Sequence, residues 1–147
     1  MNWIDVAFDC IPADDDLRQA WAVAFGVGAE SVAVVSDIAE EDPWTDPRIR
    51  IALERFRRPG EFPLQVTVML RVPELAARVA ERQYARALIG RVCAELACRA
   101  LTSNESVNPY EWALHTPDGM TTQVHVDAKQ LDEAGAFVLL RQPAAAG

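Results

Sequence analysis

A two-layer α+β fold, with a mainly antiparallel sheet and two helices on one face, is what three features of this 147-residue sequence predict. Apolar residues alternate over 4–10, 64–72 and both arms of a hairpin at 110–126, the period of half-buried strands. Two segments, 14–25 and 73–101, carry apolar stripes at helical spacing. Strands with one polar face fit an antiparallel sheet whose other face is covered by helices.

In the first strand Ile4, Val6, Phe8 and Cys10 alternate with Asp5, Ala7 and Asp9. After Pro12, the aspartates Asp14, Asp15 and Asp16 suit a helix N-terminus and its positive dipole end. Leu17, Ala20, Trp21, Ala24 and Phe25 then repeat at i, i+3, i+4, i+7 and i+8, and Gly26 and Gly28 stop the helix. Ser31 to Ile38, rich in valine, reads as a second strand, so the chain opens with a β-α-β unit. Glu40 to Pro47 is too acidic and too broken by proline for regular structure. Residues 48–56 fit either a strand or a short helix, and strand is favoured because the turn Arg57-Arg58-Pro59-Gly60 leads into the clear strand 64–72.

Pro73 suits the first position of one long helix running to about Leu101, with Leu75, Val79, Leu88, Val92 and Leu96 helping to line its buried side. Gly90 within it costs about 1 kcal/mol relative to alanine, which suggests close packing or a bend there. In the hairpin, Tyr110, Trp112 and Leu114 share a face with Thr122, Val124 and Val126. That holds if Pro117-Asp118-Gly119 is a three-residue loop with Gly119 left-handed, so that Thr116 pairs with Met120. One helical turn at 128–134 and a short strand at 137–140 follow. The element order is β-α-β-β-β-α-β-β-β, in a single domain over 1–141 with 142–147 a frayed tail. A ferredoxin-like arrangement with an extra hairpin is the first choice among topologies.

Charge is segregated along the chain. Residues 1–46 hold eleven acids against one base, residues 47–101 hold eleven arginines against five glutamates, and residues 102–147 hold six acids against two bases; the total is −8. Such a distribution can steer a charged partner. Nucleic acid is disfavoured, because phosphate binders are basic overall and this chain has pI 4.7. The arginines are expected to pair with the acidic block or coat a solvated face. No apolar run approaches the ~20 residues of a membrane-spanning helix, and Met1 to Asp5 lacks the basic region of a signal peptide. Three cysteines cannot all pair. Cys93 and Cys98, five apart, point about 140° away from each other on a helix and share neither a metal nor a disulfide there. A reduced, cytoplasmic setting is expected.

Motifs for catalysis are missing: there is no nucleophile elbow, zinc-protease helix or phosphate-cradling glycine loop. His115 and His125 are the only histidines. The hairpin register sets His125 opposite Glu111 and His115 opposite Thr121, both away from the apolar face. Such a Glu–His pair can orient a general base but is also ordinary sheet surface, and the surface reading is preferred. Asp9, Asp14 to Asp16, Glu40, Glu41, Asp42 and Asp46 offer oxygen ligands without the spacing of a calcium loop, and capping explains the first helix's aspartates better. No metal, no cofactor and no enzyme activity are therefore expected.

The segment Glu40, Glu41, Asp42, Trp44 and Asp46 is the candidate partner-binding site. Acids surround an aromatic anchor on a proline-stiffened loop, which suits recognition of a basic protein. The expectation is a non-enzymatic interaction module that neutralises or escorts a basic partner. Its concrete form is a bacterial toxin inhibitor of the immunity-protein kind, by analogy of size and charge. A secretion chaperone, or a small-molecule-binding regulatory domain with a pocket between sheet and helices, is the alternative.

Overall fold

The computed structural model describes residues 3–141; the tail 142–147, expected to fray, lies outside the described residues. The elements are β1 (Trp3–Phe8), α1 (Asp14–Phe25), β2 (Val32–Val35), β3 (Ile51–Arg57), β4 (Leu64–Leu70), α2 (Pro73–Val79), α3 (Arg82–Leu96), β5 (Ala100–Ser103), β6 (Glu111–His115), β7 (Thr121–His125) and α4 (Ala128–Ala134). Seven strands form one open sheet in the order β2-β3-β4-β1-β5-β6-β7. Every neighbouring pair is antiparallel except β2 and β3. The α+β class and the mainly antiparallel sheet are as the sequence predicts. The sheet is wider than a four-stranded core with one hairpin, and the element order differs in three places.

The segment 73–101 is not one helix. It breaks at Ala80–Glu81, where Glu81 turns extended at φ −81°, ψ 120°. A continuous helix would carry Leu75 and Val79 about a third of a turn or more away from Leu88 and Val92. Breaking it lets all four reach the same core. α3 stops at Ala97, left-handed at φ 53°, and residues 100–103 form β5, which the helical reading had absorbed. The expected strand at 137–140 is not one. It meets the rest of the fold through isolated bridges, Gly60 with Phe137 and Val126 with Leu139, and not through a ladder.

Helices lie on both faces, not one. On the first face α1, α2 and α3 cover Val6, Phe8, Ile51, Leu53 and the even-numbered residues 64–70 of β4. Trp21 is completely buried there, edge-on to Phe8 and stacked on Phe25. On the second face a smaller cluster joins Ala7, Phe62, Leu101, Leu114, Val126 and Phe137, with Leu131 of α4 packed against it. This second cluster takes the apolar side of the hairpin. Its register is as the sequence predicts: Thr116 N–H donates to Met120 O at 3.0 Å and Gly119 has φ 87°.

The β2–β3 connection is the feature that positions the candidate site. Parallel neighbours need a crossover. Here it spans 36–50 with a single short 3-10 turn at Pro43–Thr45. Ile38 N–H donates to the Glu54 carboxylate at 2.6 Å. Glu54 alternates with the core residues Leu53 and Ile51, so the crossover runs on the side of the sheet away from α1.

Candidate functional site

All five residues of the acidic segment sit on this crossover, which is tied down by its own chemistry. Asp37 Oδ1 accepts from Ala39 N–H at 2.9 Å. Asp42 Oδ1 accepts from Trp44 N–H at 2.9 Å and caps the turn that begins with buried Pro43. Trp44 is half-buried. The Arg71 guanidinium lies 4.9 Å from its ring centroid and donates to the Trp44 and Asp46 carbonyls. Asp46 accepts from Arg48 at 2.9 Å through both the backbone N–H and the guanidinium. These hydrogen bonds hold its carboxyl below the usual carboxylate range. Several of the acids thus have structural duties that sequence reasoning did not assign. Glu40 and Glu41 are exposed, and among the described residues neither they nor Asp42 forms an ion pair.

Part of the arginine block is tied down inside the fold. Arg55 pairs with Asp14 and donates to Pro12 O at 3.1 Å. Arg99 pairs with Asp9 at 2.8 Å. Arg58 donates to Gly135 O at 2.8 Å and lies 4.1 Å from the Phe137 ring centroid. Asp14, Asp15 and Asp16 occupy the first turn of α1, but the N-cap is Ala13 and no side chain caps the helix. Their role is therefore the dipole and, for Asp14 and Asp15, ion pairs with Arg55 and Arg18.

The two histidines are separated along the hairpin and have different environments. His125 is partly exposed, its Nε2 3.3 Å from Glu111 Oε1. Glu111 is held low mainly by Ser106 and then by His125. His115, expected at the surface, is only 2% exposed and lies beneath α3. Its Nε2 is 2.8 Å from Thr102 Oγ1 and its Nδ1 3.1 Å from Thr121 Oγ1. Burial, assisted by the nearby Arg86 charge, pushes its pKa down to about 4, so the ring is neutral at physiological pH.

Beside His115 lies a cleft. β1 and β5 pair at Ala7–Leu101 and Phe8–Ala100, and toward Ile4 and Ser103 they are unladdered. The opening, about 380 Å³, is roofed by Val79, Arg86 and Ile89 and floored by Ile4, Thr102 and His115. The sequence suggests a pocket between sheet and helices only as an alternative and names none of its residues, because β5 carries no local signal.

The same β1–β5 junction places one further group. Among the described residues, Asp9, Cys10 and Cys98 bring a carboxylate oxygen and two sulfurs within 4.8 Å of one another. Spacing along the chain compares Cys93 with Cys98 and gives no sign of this approach. Cys93 is separately buried, its thiol pushed up to about 12 by desolvation.

Comparison with protein-family models, with curated proteins and with solved structures finds no match.

Proposed function

We propose that this chain is a non-enzymatic interaction protein whose acidic crossover binds a basic protein partner. The observation that carries the reading is the presentation of Glu40, Glu41 and Asp42, free of ion pairs among the described residues, on a backbone braced by Glu54, Asp42 and Arg71. Preorganised charge raises the association rate, and a partly exposed aromatic beside it lengthens residence. A cognate inhibitor of a cationic toxin, of the bacterial immunity-protein kind, is the concrete form; a secretion chaperone shares the same physics. The inner strand order β3-β4-β1-β5, all antiparallel and helix-covered on one face, supports a ferredoxin-like core extended by β2 and the hairpin.

The test is surface-plasmon kinetics at two salt concentrations against a copurified partner. Charge reversal at Glu40, Glu41 and Asp42 should slow association and weaken its salt dependence. Trp44→Ala should mainly speed dissociation, at a cost on the order of 2 kcal/mol. Unchanged binding in both variants would refute the assignment.

The cleft favours a second reading, a regulatory domain for a small anionic ligand. Arg86 stands at the opening without an ion-pair partner among the described residues. A set of small carboxylic acids should then raise the melting temperature in wild type and not in Arg86→Gln; no shift with any of them would dismiss it.

A further inference from the structure

We propose that Cys10 and Cys98 form a reversible disulfide by exchange with low-molecular-weight disulfides, Cys10 attacking first and Cys98 resolving. The geometry comes from the sheet. Ala7 pairs with Leu101 and Phe8 with Ala100, and Asp9 N–H donates to Arg99 O at 3.0 Å. One more step along this register sets Cys10 opposite Cys98. Opposed residues of antiparallel strands have Cα atoms roughly 4.5–5.5 Å apart, inside the roughly 4.4–6.8 Å span of disulfides. The sulfurs are already within 4.8 Å.

The two thiols are unequal. Cys98 is 4% exposed, whereas Cys10 is half-buried on the wall of a surface depression of about 390 Å³ shared with Pro12, Asp16 and Glu95. An incoming disulfide therefore meets Cys10. The Cys98 thiol facing it lowers the Cys10 pKa, more than burial and Asp9 raise it, while Cys98 itself is raised. The thiolate is the attacking species, and Cys10 is the sulfur an incoming disulfide can reach. Metal binding fits less well. Both Asp9 oxygens are engaged by Arg99, through its N–H at 2.7 Å and Nε at 2.8 Å, leaving two sulfurs as free donors.

The chemistry balances with a disulfide RSSR as oxidant. Cys10 thiolate attacks one sulfur, forms a mixed disulfide and expels RS⁻. Cys98 gives up its proton and attacks the Cys10 sulfur, expelling the second RS⁻. The protein loses two electrons and two protons, and RSSR becomes two RSH. Asp16 and Glu95 line the approach, so a cationic disulfide should react faster than an anionic one.

The full chain is treated with cystamine or with oxidised glutathione and followed by intact mass. Wild type should lose the mass of two hydrogens, with a cross-linked peptide joining Cys10 to Cys98, and cystamine should be the faster reagent at low salt. Cys98→Ser should stop at one cysteamine adduct on Cys10, Cys10→Ser should resist both reagents, and Cys93→Ser should behave as wild type. The oxidised protein should melt at a higher temperature than the reduced one, because the cross-link restricts the unfolded chain, and dithiothreitol should reverse the change. Folded wild type that keeps its thiols or accumulates a stable mixed disulfide would overturn the proposal. So would an oxidised form that melts lower.

Discussion

Burying His115 neutral makes stability fall as pH falls, and the size follows from its environment. Its pKa drops from 6.5 in an unfolded chain to about 4 under α3. Between these values the unfolded state binds more protons than the folded one, so unfolding free energy rises with pH. Stability from this group is complete above pH 6.5. It declines by up to about 1.4 kcal/mol per pH unit on acidification and levels off below pH 4, a total of roughly 3 kcal/mol at most. The perturbation is His115→Gln, which removes the titration and keeps polar atoms for Thr102 and Thr121. Urea unfolding of both proteins at half-unit steps from pH 7.5 to 4 gives the difference curve, in which carboxylate titrations common to both cancel. The wild-type advantage should shrink steadily below pH 6.5. Parallel curves would refute the reasoning, showing that the ring is solvated or gains a compensating partner when protonated.

Two glycines should respond oppositely to alanine. Gly90 lies within α3, and a Cβ there would meet only the Cα of Gly119 at 3.9 Å, so Gly90→Ala should stabilise by about 0.5–1 kcal/mol in urea unfolding. Gly60 has φ 101°, and its Cβ would sit 2.7 Å from the Phe137 carbonyl oxygen. Gly60→Ala should cost on the order of 1–3 kcal/mol, read as a lower unfolding midpoint.

Legibility tracked whether local signals sufficed. The hairpin could be read to the residue because turn chemistry and alternation independently give one register, Glu111 with His125 through His115 with Thr121. β1, α1 and β4 likewise carry their periodicity unaided. The segment 73–101 offers good helix formers and no proline or paired glycine near residue 80, so its break is set by the burial phase of Leu75 and Val79 against Leu88 and Val92. That depends on where the sheet lies. β5 is four residues long, Ala-Leu-Thr-Ser, too short for alternation to stand out. The burial of His115, the cleft and the approach of Cys10 to Cys98 have no local signature for the same reason, since all three arise from β1–β5–β6 pairing. The acidic segment was legible as a loop, but the duties of Asp42 and Asp46 within it were not.

The fold ties part of each charge block to the other. Arginines of the central block reach out of the sheet to hold acidic or loop segments. Arg55 holds the start of α1, Arg71 the crossover, Arg99 the end of β1 and Arg58 the turn after α4. Each such tie removes a positive charge from the field a partner would meet, or fixes a loop at a defined position. Three of the acids without an ion pair among the described residues, Glu40, Glu41 and Asp42, stand beside one another on a braced connection. Long-range attraction should therefore belong to the crossover, and specificity to the shape that Arg71 and Pro43 impose on Trp44. This division separates steering from residence, so salt should alter the rate of encounter far more than the rate of release.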